Sequence, residues 1–344
     1  MMAPRLIVDG QHLVKPNGKR IVLRGVNWGS WGENMEADAD DMVAMGANCV
    51  RLPMARWWGL YGGADVDARD DKAYAFLRRE NIERSLRELD WLTARGLWVV
   101  LMIDSNCGQS GTQGPNDIAY CDPYGVFGPN GRNFFTDHPL RQVFKSIWRH
   151  VAARVRSIPN VAMFELLPEP LGGRGVEWAA PLREFYRELI AAVREVDAET
   201  PFLIGPRNSY EPTIIEEIHL PERNDVVYTG NFLSGKLTQR PKFDAALDAL
   251  TDFRAAHTVP VFVQQMGRKS GDDPDLMHMQ YALERFNAEK IAFTWWQHKQ
   301  NTTNPEDYAL RYKDSSGGWT PKDDEISLLS AALTGTETPF VHRD

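Results

Sequence analysis

The amino-acid sequence predicts an α/β protein: a (β/α)8 TIM barrel preceded by an N-terminal β-hairpin. Three observations carry that expectation. Eight short apolar runs alternate with stretches of helical periodicity along the chain. The runs are continuously apolar rather than alternating, as strands buried on both faces of a parallel sheet must be. No GxGxxG or GxxxxGK(S/T) follows any of them, which places a doubly wound nucleotide-binding sheet second to the barrel.

In chain order, residues 1–20 carry two turn signals, Asp9-Gly10 and Asn17-Gly18, between β-favouring runs, and predict the hairpin. Residues 21–335 supply the barrel. Its strands are expected at 21–28, 48–53, 97–103, 161–167, 201–205, 226–230, 259–264 and 291–296. Between them, Leu140, Val143, Phe144, Ile147, Trp148, Val151 and Val155 form one apolar stripe. Phe243, Ala246, Leu247, Leu250 and Phe253 form another. A last helix is expected near 321–333. Two connections are long, 104–138 after the third strand and 297–320 after the eighth. Loops of that length in a compact domain are usually functional or disordered, and both would rise at the C-terminal end of the barrel, where barrel sites lie. With no repeat, low-complexity tract or linker, residues 1–344 read as one domain.

Composition narrows the function. Of 344 residues, 43% are hydrophobic and 25% charged, with a net charge of −8, and no Lys/Arg run offers a footprint for a phosphate backbone, so no nucleic-acid partner is expected. Nothing approaches 18 consecutive apolar residues, so no membrane span is expected. The N-terminus lacks the apolar core of a signal peptide. That leaves the compartment open between an intracellular protein and an exported one without its signal. Cys49 lies in an apolar run and reads as an inert core residue, whereas Cys107 and Cys121 flank one long loop where a disulfide stays open. The eight histidines show no HExxH or HxxEH spacing, and no metal site is expected.

The chemistry centres on Phe164-Glu165-Leu166-Leu167-Pro168-Glu169-Pro170. Here a buried strand ends at a carboxylate held between two prolines, which supply no backbone donor and turn the chain out of the sheet. Glu169 is therefore a candidate proton donor at a strand's C-terminal end. The other strand ends present Asn27-Trp28 with Trp31 behind, Arg51 followed by Trp57 and Trp58, Asp104-Ser105-Asn106, Tyr228 and Asn231, Gln264-Gln265-Met266-Gly267, and Trp295-Trp296-Gln297-His298. Indole faces beside amide and carboxylate groups suit a sugar, whose C–H faces stack while its hydroxyls take the polar groups.

With these residues in place, the chain resembles glycoside hydrolase family 5, the cellulase-like retaining β-glycosidases. The matching stretches are Leu23-Arg24-Gly25-Val26-Asn27, Asn48-Cys49-Val50-Arg51-Leu52-Pro53, Phe164 to Pro170, Pro260 to Gly267, and Trp295-Trp296, in register from first strand to last. The resemblance implies Glu169 as general acid/base and Gln265 at the position of the nucleophile, usually a glutamate. It implies substrate contacts from Trp28, Arg51, Asp104, Asn106, Tyr228, Asn231 and Trp296, an oligo- or polysaccharide substrate, no cofactor, and a monomer. An amide is a poor nucleophile, so the chain as written lacks half of the retaining machinery. Three explanations stand open: a Glu→Gln variant of an active enzyme, a natural barrel that binds sugar without cleaving it, or attack by another carboxylate such as Asp104. Other departures accompany Gln265. Pro168 stands where the family places an asparagine that holds the sugar 2-hydroxyl, Asp104 where it places a histidine, and Asn231-Phe232-Leu233 where it places His-x-Tyr.

Plainer roles are also expected. Glu165 reads as a paired interior group with Arg51 as its partner, and Trp91, Trp98 and Trp148 as core. His138, His298 and the acidic 65–71 segment read as loop surface.

Overall fold

The computed structural model describes residues 3–29, 34–56, 79–104, 138–170 and 179–335. Strands β1 (Ile7–Asp9) and β2 (His12–Val14) form the N-terminal hairpin, with Ile7 opposite Val14, and β3 (Arg20–Ile21) adds a third antiparallel strand. Gly10 turns the hairpin with φ 55°, a conformation that glycine adopts without a steric penalty.

The barrel strands follow: β4 (Arg24–Asn27), β5 (Cys49–Arg56), β6 (Trp98–Asp104), β7 (Val161–Glu165), β8 (Phe202–Ile204), β9 (Val226–Tyr228), β10 (Asn231–Leu233), β11 (Phe262–Gly267) and β12 (Ala292–Trp295). All pair in parallel, in the order β10-β11-β12-β4-β5-β6-β7-β8-β9. β9 and β10 are two halves of the sixth barrel strand, interrupted at Thr229-Gly230. Tyr228 bridges Val261 and Asn231 pairs with Gln265, so β11 closes the ring against both halves. At Gly25 a side chain is impossible, because a β-carbon there would lie 1.6 Å from the Cys49 carbonyl oxygen.

Strand parity sorts the side chains into two apolar layers. Along β5, Cys49 points into the barrel, Val50 out to the helices and Arg51 in again. The inner layer forms a floor from Leu23, Cys49, Trp98, Val100, Met163, Leu203, Val227 and Phe262, closed from below by Leu6 and Leu13 of the hairpin segment. The larger outer layer packs the sheet against helices at Glu36–Ala44, Arg79–Ala94, His138–Val155, Ala179–Arg194, Arg240–His257, Met277–Ala288 and Asp323–Thr334. Phe144, Ile147, Trp148, Val151 and Val155 are buried along one predicted stripe, and Phe243 to Phe253 along the other. Each such side chain contributes about 1.5–3 kcal/mol. None of the described helices is long and apolar enough to cross a membrane.

Two expectations change in detail. The fourth strand ends at Glu165 rather than at residue 167, and the Leu166 amide makes one more bond, to the Leu203 carbonyl at 3.2 Å, before the chain turns out through Pro168 and Pro170. The long 297–320 connection is partly a hairpin, Arg311–Lys313 against Trp319–Pro321, whose turn is held by Asp314 accepting from the Ser316 and Gly318 amides. Trp31, Trp57, Trp58, Asn106, Cys107, Cys121 and the 65–71 segment lie outside the described residues. So does the whole 105–137 loop.

Two buried carboxylates give the fold opposite pH signatures. Burial pushes Glu88, beneath Trp28, up to about 7. Its folded form keeps a proton that the unfolded chain releases above its ordinary 4.5, so its contribution favours folding at low pH and falls as pH rises from about 4.5 to about 7. Burial would also raise Asp38, but hydrogen bonds from His298, Lys299 and the Met35 amide outweigh it and bring it down to about 2. Its contribution is present above 3.8 and is lost as pH falls toward 2. Glu88→Gln is expected to abolish the decline between pH 4.5 and 7, on the order of 3 kcal/mol, in urea unfolding measured across that range. An unchanged pH dependence would show that Glu88 does not carry it.

Candidate active site

Above the apolar floor the barrel interior turns polar. Asn27, Arg51, Glu165, Gln264, Gln265 and Thr294 are all buried there. Arg51 donates from Nε to Glu165 Oε2 at 2.5 Å and from Nη2 to Oε1 at 2.8 Å, a two-point clasp between β5 and β7. Its Nη1 donates to Asn27 Oδ1 at 2.9 Å, and Asn27 Nδ2 in turn donates to the Gln264 carbonyl at 3.1 Å and the Trp295 carbonyl at 3.2 Å. One run of bonds thus crosses from β7 through β5 and β4 to β11 and β12. Burial alone would weaken the Arg51 charge, but the Glu165 carboxylate outweighs it and holds the guanidinium protonated.

Glu169 stands at the rim of this layer. It follows the end of β7 in a bend with φ 47°, a left-handed backbone uncommon for a glutamate. Its Oε1 accepts from Asn231 Nδ2 at 2.5 Å. In the amide orientation that satisfies both ends, the Gln265 side chain also donates to Oε1 at 2.5 Å, while its oxygen accepts from Arg51 Nη1 at 3.2 Å. Asn231 is itself held by Gln264, whose Nε2 donates to Asn231 Oδ1. Two consecutive residues of a regular strand would face opposite ways. The register between β11 and β12 shifts between Val263 and Met266, and the irregularity lets both Gln264 and Gln265 reach the interior.

The structure therefore brings Glu169, Gln265, Arg51 and Asn231 together. Trp296 is half-buried next to them; its amide donates to the Met266 carbonyl at 2.7 Å, and a β-carbon on Gly267 would lie 2.6 Å from its carbonyl oxygen. Two expected contacts are corrected. Trp28 is fully buried in the outer layer, stacked on His298, because Asn27 takes the inward position and parity turns the next residue out. Tyr228 likewise follows inward-facing Val227. Its ring packs edge-on to Phe253 in the helix layer and its hydroxyl accepts from the Leu220 amide at 3.0 Å. His298, expected at the surface, is completely buried against Asp38. Asp104 ends β6, but its side chain lies outside the described residues, as does all of Asn106. Gln264, named among the strand-end groups without a role, joins this set through Asn231; a second amide beside Gln265 in an apolar run was the available signal.

Among the described residues, Asp38, Asp41 and His298 gather three ligand-type atoms within 4.8 Å. The cations they need are already the protein's own: Lys299 Nζ lies 2.5 Å from Asp38, and Arg311 lies 3.0 Å from Asp41. The cluster ties the first helix to the loop after β12.

Comparison with known proteins bears on the family and the fold. The family model described as Cellulase (glycosyl hydrolase family 5) matches residues 14–302. An endoglucanase of Clostridium saccharobutylicum is 24% identical over 200 residues, which is 56% of this chain and only 42% of that protein. The crystal structure of an endogalactoceramidase superposes with a TM-score of 0.75 at 17% identity, covering 95% of this chain and 84% of the other. Endo-glycoceramidase II from Rhodococcus sp. gives 0.68 at 19% identity, with 92% and 80% covered.

The Arg51–Glu165 clasp has a testable energetic weight. Arg51→Met strands a buried carboxylate and is expected to cost about 3–5 kcal/mol in urea unfolding at pH 7. Adding Glu165→Leu removes the stranded charge and is expected to recover most of that loss. A loss under 1 kcal/mol for Arg51→Met would contradict the clasp.

Proposed function

The chain belongs to glycosyl hydrolase family 5, and from that premise we propose a glycosidase site for β-linked oligo- or polysaccharides, arrested by the amide at residue 265. One observation carries the reading: Glu169 and Gln265, from the fourth and seventh barrel strands, touch at the C-terminal end of the sheet. The endoglucanase and glycoceramidase names of its relatives fit a β-linked glycan. Retaining hydrolysis requires one carboxyl group to protonate the leaving oxygen and a second to attack the anomeric carbon. Glu169 is the proposed acid. Two amide donors meet its Oε1. Gln265 stands in the attacking position, but its oxygen is turned to Arg51 and an amide does not form a glycosyl ester. A bound sugar is then gripped and not cleaved. Arg51 would orient a carboxylate at 265 as it now orients the amide, and Trp296 would stack beneath the sugar ring.

A second reading, a barrel that binds sugar without ever cleaving it, is favoured by one feature. Gln265 is joined by Gln264 and Asn231 in a set of amides built around Glu169, so the departure is not confined to one residue.

Gln265→Glu separates the two. On the first reading it produces turnover of β-glycosides with retained anomeric configuration, seen as the β-product forming first by proton NMR. The restored carboxylate repels the charge on Glu169 and helps it keep its proton, so the pH–rate profile is expected to be a bell that Glu169→Gln collapses. Binding without turnover across a broad panel of β-glycans would establish the second reading.

A further inference from the structure

The bend that carries Glu169 has no backbone donors at Pro168 and Pro170, which gives its carbonyl oxygens a large share in holding it. Three of them accept from outside the sheet. Leu166 O accepts from the Trp148 indole at 2.9 Å, Leu167 O from the Tyr210 hydroxyl, and Pro170 O from the Ser209 amide at 3.3 Å. Two of these three donors come from a single turn just after β8.

That turn is unusual. Asn208, Ser209 and Tyr210 lie consecutively in the left-handed region, with φ of 56°, 55° and 61°. Residues with a β-carbon avoid that region, and three in a row persist only where the surroundings impose them. The surroundings here are specific. Arg207 clasps Glu217 through two bonds of 2.8 Å and anchors the start of the turn. Tyr210 is fully buried, and its ring lies where a β-carbon on Gly205 would come within 2.3 Å of it, so the ring seats only over glycine. The Tyr210 amide returns to the Pro206 carbonyl at 3.2 Å. Burial holds the phenol protonated, and the nearby Glu165 carboxylate adds to that, so the hydroxyl is a permanent donor.

We infer that Tyr210 is a positioning residue for Glu169: the left-handed turn delivers its hydroxyl to the Leu167 carbonyl and sets the bend from which Glu169 reaches Asn231 and Gln265. The inference deepens the proposed function and rests on Glu169 being the working carboxyl group.

Tyr210→Phe deletes the hydroxyl and keeps the ring. In its crystal structure the Glu169 carboxyl is expected to leave Asn231 and Gln265; Glu169 found in contact with both would overturn the inference. In the Gln265→Glu background, kcat is expected to fall tenfold or more with KM within twofold, and the basic limb of the pH profile to move. Active sites counted with a 2-deoxy-2-fluoro-β-glycoside remove any effect of lost folded protein. An unchanged kcat and profile would overturn the inference. If Gln265→Glu gives no turnover at all, the proposed function fails while the crystal structure still decides the role of Tyr210. Should Tyr210→Phe not fold, Glu217→Gln loosens the same turn from outside, and the same readouts are expected to move several-fold; their constancy would overturn the inference.

Discussion

The clasp between Arg51 and Glu165 is the interaction on which the rest of the site depends. A barrel of this kind closes on a packed apolar interior, and nothing in hydrophobic burial by itself produces a polar mouth. Here two opposite charges, both removed from water, meet in a geometry that uses both carboxylate oxygens. Arg51 then has one nitrogen left, and it serves Asn27 and the Gln265 amide together. The position of residue 265 is therefore set by the same group that neutralises the interior. A pair so buried adds little net stability over an apolar replacement, and its justification lies in what it orients.

Around that clasp the molecule divides by height. The floor, sealed by Leu6 and Leu13, supplies the cohesion, and the layer above it trades cohesion for directed bonds. Several backbone irregularities gather in the upper layer: the split of the sixth strand, the register shift in β11, and the left-handed residues at 169 and 208–210. Each irregularity is matched by a polar contact that a regular strand could not make. The split sets Asn231 beside Gln265, the shift admits two glutamines in succession, and the turn brings Tyr210 beneath the bend of Glu169.

Much of this was legible in the chain itself. Eight continuous apolar runs announced the parallel strands because both faces of each are buried, and Asp9-Gly10 announced the hairpin. Glu169, Gln265 and Arg51, which the structure brings together, were singled out by asking what stands at strand ends. Trp28 and Tyr228 were misplaced because a strand end was taken as sufficient, whereas parity decides which neighbour faces inward; Asn27 and Val227 hold the inward places. His298 was taken for surface because loops usually are, but its ring is roofed by Trp28 and met by Asp38. Tyr210 could not be foreseen from pattern, and the paired amides at 264 and 265 did not show that both would face inward. Their roles depend on a register shift and a left-handed turn, and no residue pair in the sequence signals either.

On the proposed function, the mouth above Arg51 holds a β-linked sugar across Glu169 and Gln265. The most direct measurement is a crystal of the unsubstituted chain soaked with a graded panel of β-linked oligosaccharides. The account predicts an uncleaved sugar with its glycosidic oxygen at the Glu169 carboxyl, its anomeric carbon facing Gln265, and a ring over Trp296. An empty mouth at saturating sugar, or a sugar bound away from Glu169 and Gln265, would contradict it.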